Sequence, residues 1–189
     1  MDVERSSPTF AILSDIGNDL AYETPVEKIV QWIEATLDRL AALGARMVLN
    51  NIPLASLEGV GAMRYQVFRE LFFPNCKLPR KEMLRRAEQL SAELETVAER
   101  RQMPIFSGES AWYGLDPIHP RRALAGKIWT RMLGELITPG GAAELVRPTP
   151  AAKLKLRRLQ PRSWSQFGVL RSARQPNARL NDGSTIALY

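Results

Sequence analysis

The segment Thr9-Phe10-Ala11-Ile12-Leu13-Ser14-Asp15-Ile16-Gly17-Asn18-Asp19 decides how this chain is read. A short apolar run closed by turn-forming residues predicts a buried strand that opens into a polar loop. Downstream, Thr24-Pro25-Val26-Glu27 predicts a helix start, with Thr24 as cap, Pro25 in the first turn and Glu27 reaching back to the cap amide. Val26, Ile29, Val30, Ile33, Leu37 and Leu40 then fall on one helical face. Gly44 lies where a left-handed cap is wanted.

Further out, residues 46–50 predict a second strand, stopped by Pro53. A short helix follows around 63–71. Residues 80–101 predict a long helix with Met83, Leu84, Ala87, Leu90, Leu94 and Val97 inward. Residues 104–107 predict a third strand, and residues 121–137 a last helix with Leu124, Ile128, Leu133 and Leu136 inward. Alternating strands and helices imply a parallel sheet with right-handed crossovers. Ligands in such sheets sit beyond the carboxyl ends of the strands. The loops 14–19 and 108–119 both follow strands, so both are expected at that rim.

These loops hold the candidate chemistry. His119 is the only histidine, and imidazole exchanges protons near neutrality. Asp116, three residues earlier, can fix its tautomer and stabilise the imidazolium. A surface or helix-capping histidine is the alternative. In the other loop, Gly17 is expected to let the backbone turn sharply and aim the Asn18 amide into the cleft. There it would serve a developing oxyanion, a role worth roughly 3–4 kcal/mol. The alternative is an ordinary turn in which the Asn18 and Asp19 side chains bond their own backbone.

Taken together, Ile16-Gly17-Asn18-Asp19 after a strand and Asp116-x-x-His119 before the last helix resemble the SGNH/GDSL hydrolases, over residues 8 to about 137. The resemblance implies a three-layer α/β/α fold with a flavodoxin-like parallel sheet. It implies ester hydrolysis by serine/His/Asp chemistry, with Asn18 as oxyanion donor, flanked by Gly17 and Asp19. His119 would be the general base and Asp116 its orienting partner. The family's Gly-Asp-Ser nucleophile tripeptide does not occur in these 189 residues, and no glycine before Gly17 matches its second block. The expectation is a domain without its first strands, a truncated product or half of a split hydrolase, weakly active or inactive. Ser14 and Ser110 are not expected on a strand-to-helix elbow that would activate a hydroxyl. Cys76 has no link to His119 and reads as a packed or exposed thiol.

No metal site is expected from one histidine and one cysteine, nor any cofactor, since no phosphate-binding glycine motif occurs. The single cysteine excludes an internal disulfide and fits a cytoplasmic setting. No apolar run is long enough to span a membrane, and the charged first residues do not read as a secretory signal. The net charge of +6 is uneven: residues 1–120 carry 13 Lys/Arg and 17 Asp/Glu, residues 121–189 carry 13 and 3. The expected organisation is a partial hydrolase-like domain at 1–138, a basic Pro-containing linker at 139–163 and a β-hairpin extension at 164–189. An ester is the expected small-molecule substrate if the chain is active. Two other functions fit: a non-catalytic protein whose sheet is completed by a partner chain, and a nucleic-acid or membrane-surface binder using the basic stretch at 147–179, with Trp164 and Phe167 among the arginines.

Overall fold

A computed structural model describes residues 8–114, 116–137, 149–180 and 183–189. The chain divides into two compact units, Met1–Leu145 and Val146–Tyr189. The first is mixed α/β, built on a small parallel sheet of three strands in the order β1-β2-β3. These are β1 (Phe10–Leu13), β2 (Arg46–Asn50) and β3 (Ile105–Phe106). Ile12 lies opposite Val48, Leu13 opposite Leu49, and Leu49 opposite Ile105.

Between the strands run α1 (Asn18–Ala21), α2 (Val26–Ala42), α3 (Leu54–Glu58), α4 (Ala62–Phe72) and α5 (Arg80–Arg100), and α6 (Ala125–Ile137) follows β3. Side chains alternate across a strand, so Val48 and Leu49 report on opposite faces. Leu49 packs with Ile29, Ile33 and Leu37 of α2 and with Leu90, Leu94 and Val97 of α5. Val48 packs with Phe106, Trp112 and with Ile128, Met132 and Leu136 of α6. Helices therefore lie against both faces. Each fully buried leucine here contributes about 1.5–3 kcal/mol through removal from water.

Three local expectations are corrected. The capping box at Thr24 does not form: Pro25 is the cap residue of α2 and no side chain bonds the free amides. Leu133 is exposed rather than inward, and Met132 takes its place. The core stripe of α6 runs at intervals of four through Leu124, Ile128, Met132 and Leu136, which turns Leu133 about 100° away. Gly17 is not the residue that bends the loop after β1. It caps α1 with helical φ of −67°, and the left-handed residue is Asp15, at φ 62°. Aspartate tolerates that region through its short polar side chain.

The second unit contains α7 (Pro150–Arg157), capped by Thr149, whose Oγ1 accepts from the Ala152 amide at 3.2 Å. Two antiparallel pairs follow: β4 (Ser163–Gln166) with β5 (Val169–Ser172), and β6 (Ala178–Arg179) with β7 (Thr185–Ile186). The expected terminal hairpin is the second of these. Of its turn, Asn181 and Asp182 lie outside the described residues, and Gly183 has φ 88°. The first hairpin is closed by Phe167-Gly168, a dipeptide that carries no favoured turn signal in the sequence.

Candidate active site

The carboxyl ends of the three strands open onto one cleft of about 130 Å³ in the first unit. Asp15, Ile16 and Gly17 line it after β1, Asn50 to Pro53 after β2, and Tyr113, Pro117, Ile118 and Pro120 after β3. The opposite wall comes from Tyr65, Phe68 and Arg69 of α4, then Phe73 and Cys76, and from Arg80 and Met83 of α5.

The Asp116–His119 pair forms by local geometry. Oδ1 of Asp116 accepts the amides of Ile118 at 2.9 Å and His119 at 3.0 Å, which folds the loop back on itself. Oδ2 is left 2.8 Å from His119 Nδ1. Partial burial works to raise the Asp116 pKa. The amides of His119 and Ile118 and the His119 ring outweigh it and hold the carboxyl below its ordinary range. An ionised Asp116 favours the tautomer of neutral imidazole that carries its proton on Nδ1, with Nε2 as the acceptor. Both side chains are about half exposed.

The loop carrying this pair is fastened at its neck. Tyr113 and Pro120 form an antiparallel bridge, and the Arg121 amide donates to the Trp112 carbonyl at 2.9 Å. The Arg121 guanidinium reaches the Tyr113 carbonyl, and Arg64 of α4 reaches that of Gly114. Gly108 sits so close to the buried Tyr113 ring that an added Cβ would fall 2.3 Å from its hydroxyl oxygen. That glycine is required by close approach, whereas a Cβ at Gly17 would meet nothing within 4 Å.

Asn18 begins α1, immediately after the cleft-lining Gly17. Its Oδ1 is buried without a hydrogen-bond partner. Among the described residues, neither Asn18 nor Asp19 bonds backbone through its side chain, so the self-bonded turn does not form there; the turn of that type belongs to Asp116. Asn18 and His119 flank the cleft-lining residues rather than lining the cleft themselves. Ser14 lies beside Asp15, its Oγ 3.5 Å from Oδ2. Ser110 is exposed in a single 3-10 turn, Ser110–Trp112. Cys76 is buried in the cleft wall.

Two features escaped the sequence reading. Asn51 is buried at the rim, its Nδ2 donating to Glu95 Oε1 at 3.0 Å and its Oδ1 accepting the Ile52 amide at 2.8 Å. The paired Asn50-Asn51 at a strand's carboxyl end was the available signal. Tyr65 donates to the Leu78 carbonyl at 2.7 Å. Burial, with Cys76 alongside, pushes its phenol up to about 12. Among the described residues, no group of three or more His, Cys, Asp or Glu could hold a metal ion, and no helix is long and apolar enough to cross a membrane.

Against known proteins, the chain matches no family model, no curated protein and no solved structure.

Proposed function

We propose that the first unit is an SGNH/GDSL-type ester-hydrolase domain, with His119 as general base, Asp116 as its orienting carboxylate and Asn18 as oxyanion donor. Gly17 and Asp19 flank Asn18 at the start of α1, and the sheet is the flavodoxin-like layer of a three-layer fold. The observation that carries this reading is the 2.8 Å contact between Asp116 Oδ2 and His119 Nδ1, on a loop that borders the same strand-end cleft as Asp15–Gly17.

The chemistry follows from these groups. A nucleophilic hydroxyl attacking an acyl carbon must lose its proton, and Nε2 of His119 is the free acceptor. The carbonyl oxygen becomes an anion, and a neutral amide such as Asn18 Nδ2 stabilises it without bringing a counter-charge. The imidazolium formed in between is stabilised by Asp116. Ser14 has Asp15 rather than His119 as its side-chain partner, at 3.5 Å, and Ser110 sits exposed in a 3-10 turn, so turnover by this chain is weak or absent.

The test has two parts. Hydrolysis of nitrophenyl acetate should stay close to the uncatalysed rate and be unchanged by His119→Ala. Fast turnover abolished by His119→Ala would overturn the inactivity and keep the family reading. A crystal structure with a bound short-chain carboxylate should have Asn18 Nδ2 and His119 Nε2 each about 3 Å from that one ligand. Asn18 and His119 on opposite rims would end the hydrolase reading.

A second reading, a non-catalytic protein completed by a partner chain, draws on a different observation. Among the described residues β1 pairs on one side only. Trp129, Leu133 and Ile137 form an exposed apolar stripe on α6, and Phe10 on β1 is exposed as well. Stoichiometric co-purification of a second chain, unaffected by His119→Ala, would favour it.

A further inference from the structure

We propose that the β4–β5 hairpin of the second unit is an anchor for anionic membrane surfaces. Phe167, Val169 and Leu170 would enter the outer edge of the hydrocarbon, and surrounding arginines would hold lipid phosphates.

The turn is the first observation. Phe167 and Gly168 close the hairpin with φ of 52° and 77°. A two-residue turn with both values positive favours Asn-Gly, because a bulky side chain is strained there. Phenylalanine occupies this position and is 96% exposed. It thus satisfies neither the local backbone nor a core. The next residues extend the pattern: Val169 is 59% and Leu170 78% exposed.

Charge is the second observation. Residues 146–189 hold 9 Lys/Arg and 1 Asp/Glu. Arg162, Arg171, Arg174 and Arg179 are exposed, and among the described residues none of them takes part in an ion pair. Their order along the hairpin matters. Arg171, paired with Trp164, follows the tip by four residues, and Arg162 and Arg174 flank the base. At roughly 3.4 Å per residue, the first cationic level lies ~10–14 Å behind the tip. Phe167, Val169 and Leu170 share this end with Ser165 and Gln166, which stand opposite Leu170 and Val169, and the cationic level lies at or just beyond the roughly 5–10 Å to which amphipathic segments enter the headgroup and acyl boundary.

The same charge would attract nucleic acid, but exposed valine and leucine gain nothing from base stacking, whereas lipid buries them. The attraction to anionic lipid is expected to amount to about a fivefold gain in partitioning per basic residue near the surface.

The experiment is flotation of the full chain with phosphatidylcholine vesicles, with and without about one-third phosphatidylserine. Binding should require the anionic lipid and fall as salt is raised. Phe167→Asn should weaken binding about tenfold or more, given the burial a phenyl ring loses. Because asparagine suits this turn better than phenylalanine, the variant should keep or raise thermal stability, which separates lost anchoring from lost folding. Arg171→Ala should cost about fivefold. Equal binding to neutral vesicles, no vesicle binding, or undiminished binding by Phe167→Asn would overturn the proposal. So would exclusive binding to a DNA or RNA oligonucleotide.

Discussion

At Asp116 one carboxylate serves two structures at once. Oδ1 closes the turn through two backbone amides, and Oδ2 meets the His119 ring. The carboxylate's stabilising contribution depends on pH in a definite direction. The folded-state pKa lies below the ordinary range, so the contribution is fully present above the unfolded value of about 3.9. It is lost as pH falls through the lower folded value. Asp116→Asn should therefore be less stable than the parent at neutral pH, by no more than about 1 kcal/mol because the pair is half exposed. The gap should close below about pH 4. Urea unfolding of both proteins across pH 2–7 would check this; a gap that widens in acid would contradict the assigned charge state.

Among the elements, those with one apolar stripe and one charged face were legible before the structure. β2 spans Arg46–Asn50 as expected, and α2 buries Val26, Ile29, Ile33 and Leu37. α5 keeps its core on Ala87, Leu90, Leu94 and Val97. The cleft wall was less legible, because α4 is apolar on both sides: Tyr65 and Phe68 line the cleft while Met63, Val67 and Leu71 are exposed. Periodicity cannot choose a face when both qualify. The β4–β5 hairpin was hidden because Phe-Gly is not a turn dipeptide that sequence rules favour. At the candidate site, the Asp116–His119 pair was legible from a spacing of three. The left-handed Asp15 was not, because glycine draws that expectation to itself. α6 carries two apolar stripes, so its periodicity alone admits Leu133 as an inward residue. The structure separates them: Met132 is 3% exposed and Leu133 37%. Met132→Ala should cost about 2–5 kcal/mol, whereas Leu133→Ala should cost under about 1 kcal/mol. Equal losses in denaturant unfolding would mean that something covers the second stripe in solution.

For the molecule as a whole, the two units differ in what they leave open. Residues 1–145 carry 17 Lys/Arg and 19 Asp/Glu, close to balance, whereas residues 146–189 carry 9 and 1. The second unit thus has a charge reason to remain dispersed and the first has none. The first also holds the structural hazard: β1 has a neighbour on one side only among the described residues, with Phe10 37% exposed on it. A free parallel edge offers a row of backbone donors and acceptors to any strand that meets it. Natural sheets blunt such edges with lysine, proline or short length; β1 is short, four residues, but carries no charge. Self-association should therefore rise with concentration, should depend little on salt because backbone pairing rather than charge drives it, and should weaken at least several-fold in Phe10→Lys. Sedimentation velocity over a hundredfold concentration range reads all three. A chain that stays monomeric throughout would mean that the edge is covered, and the partner-completed reading would lose its main support.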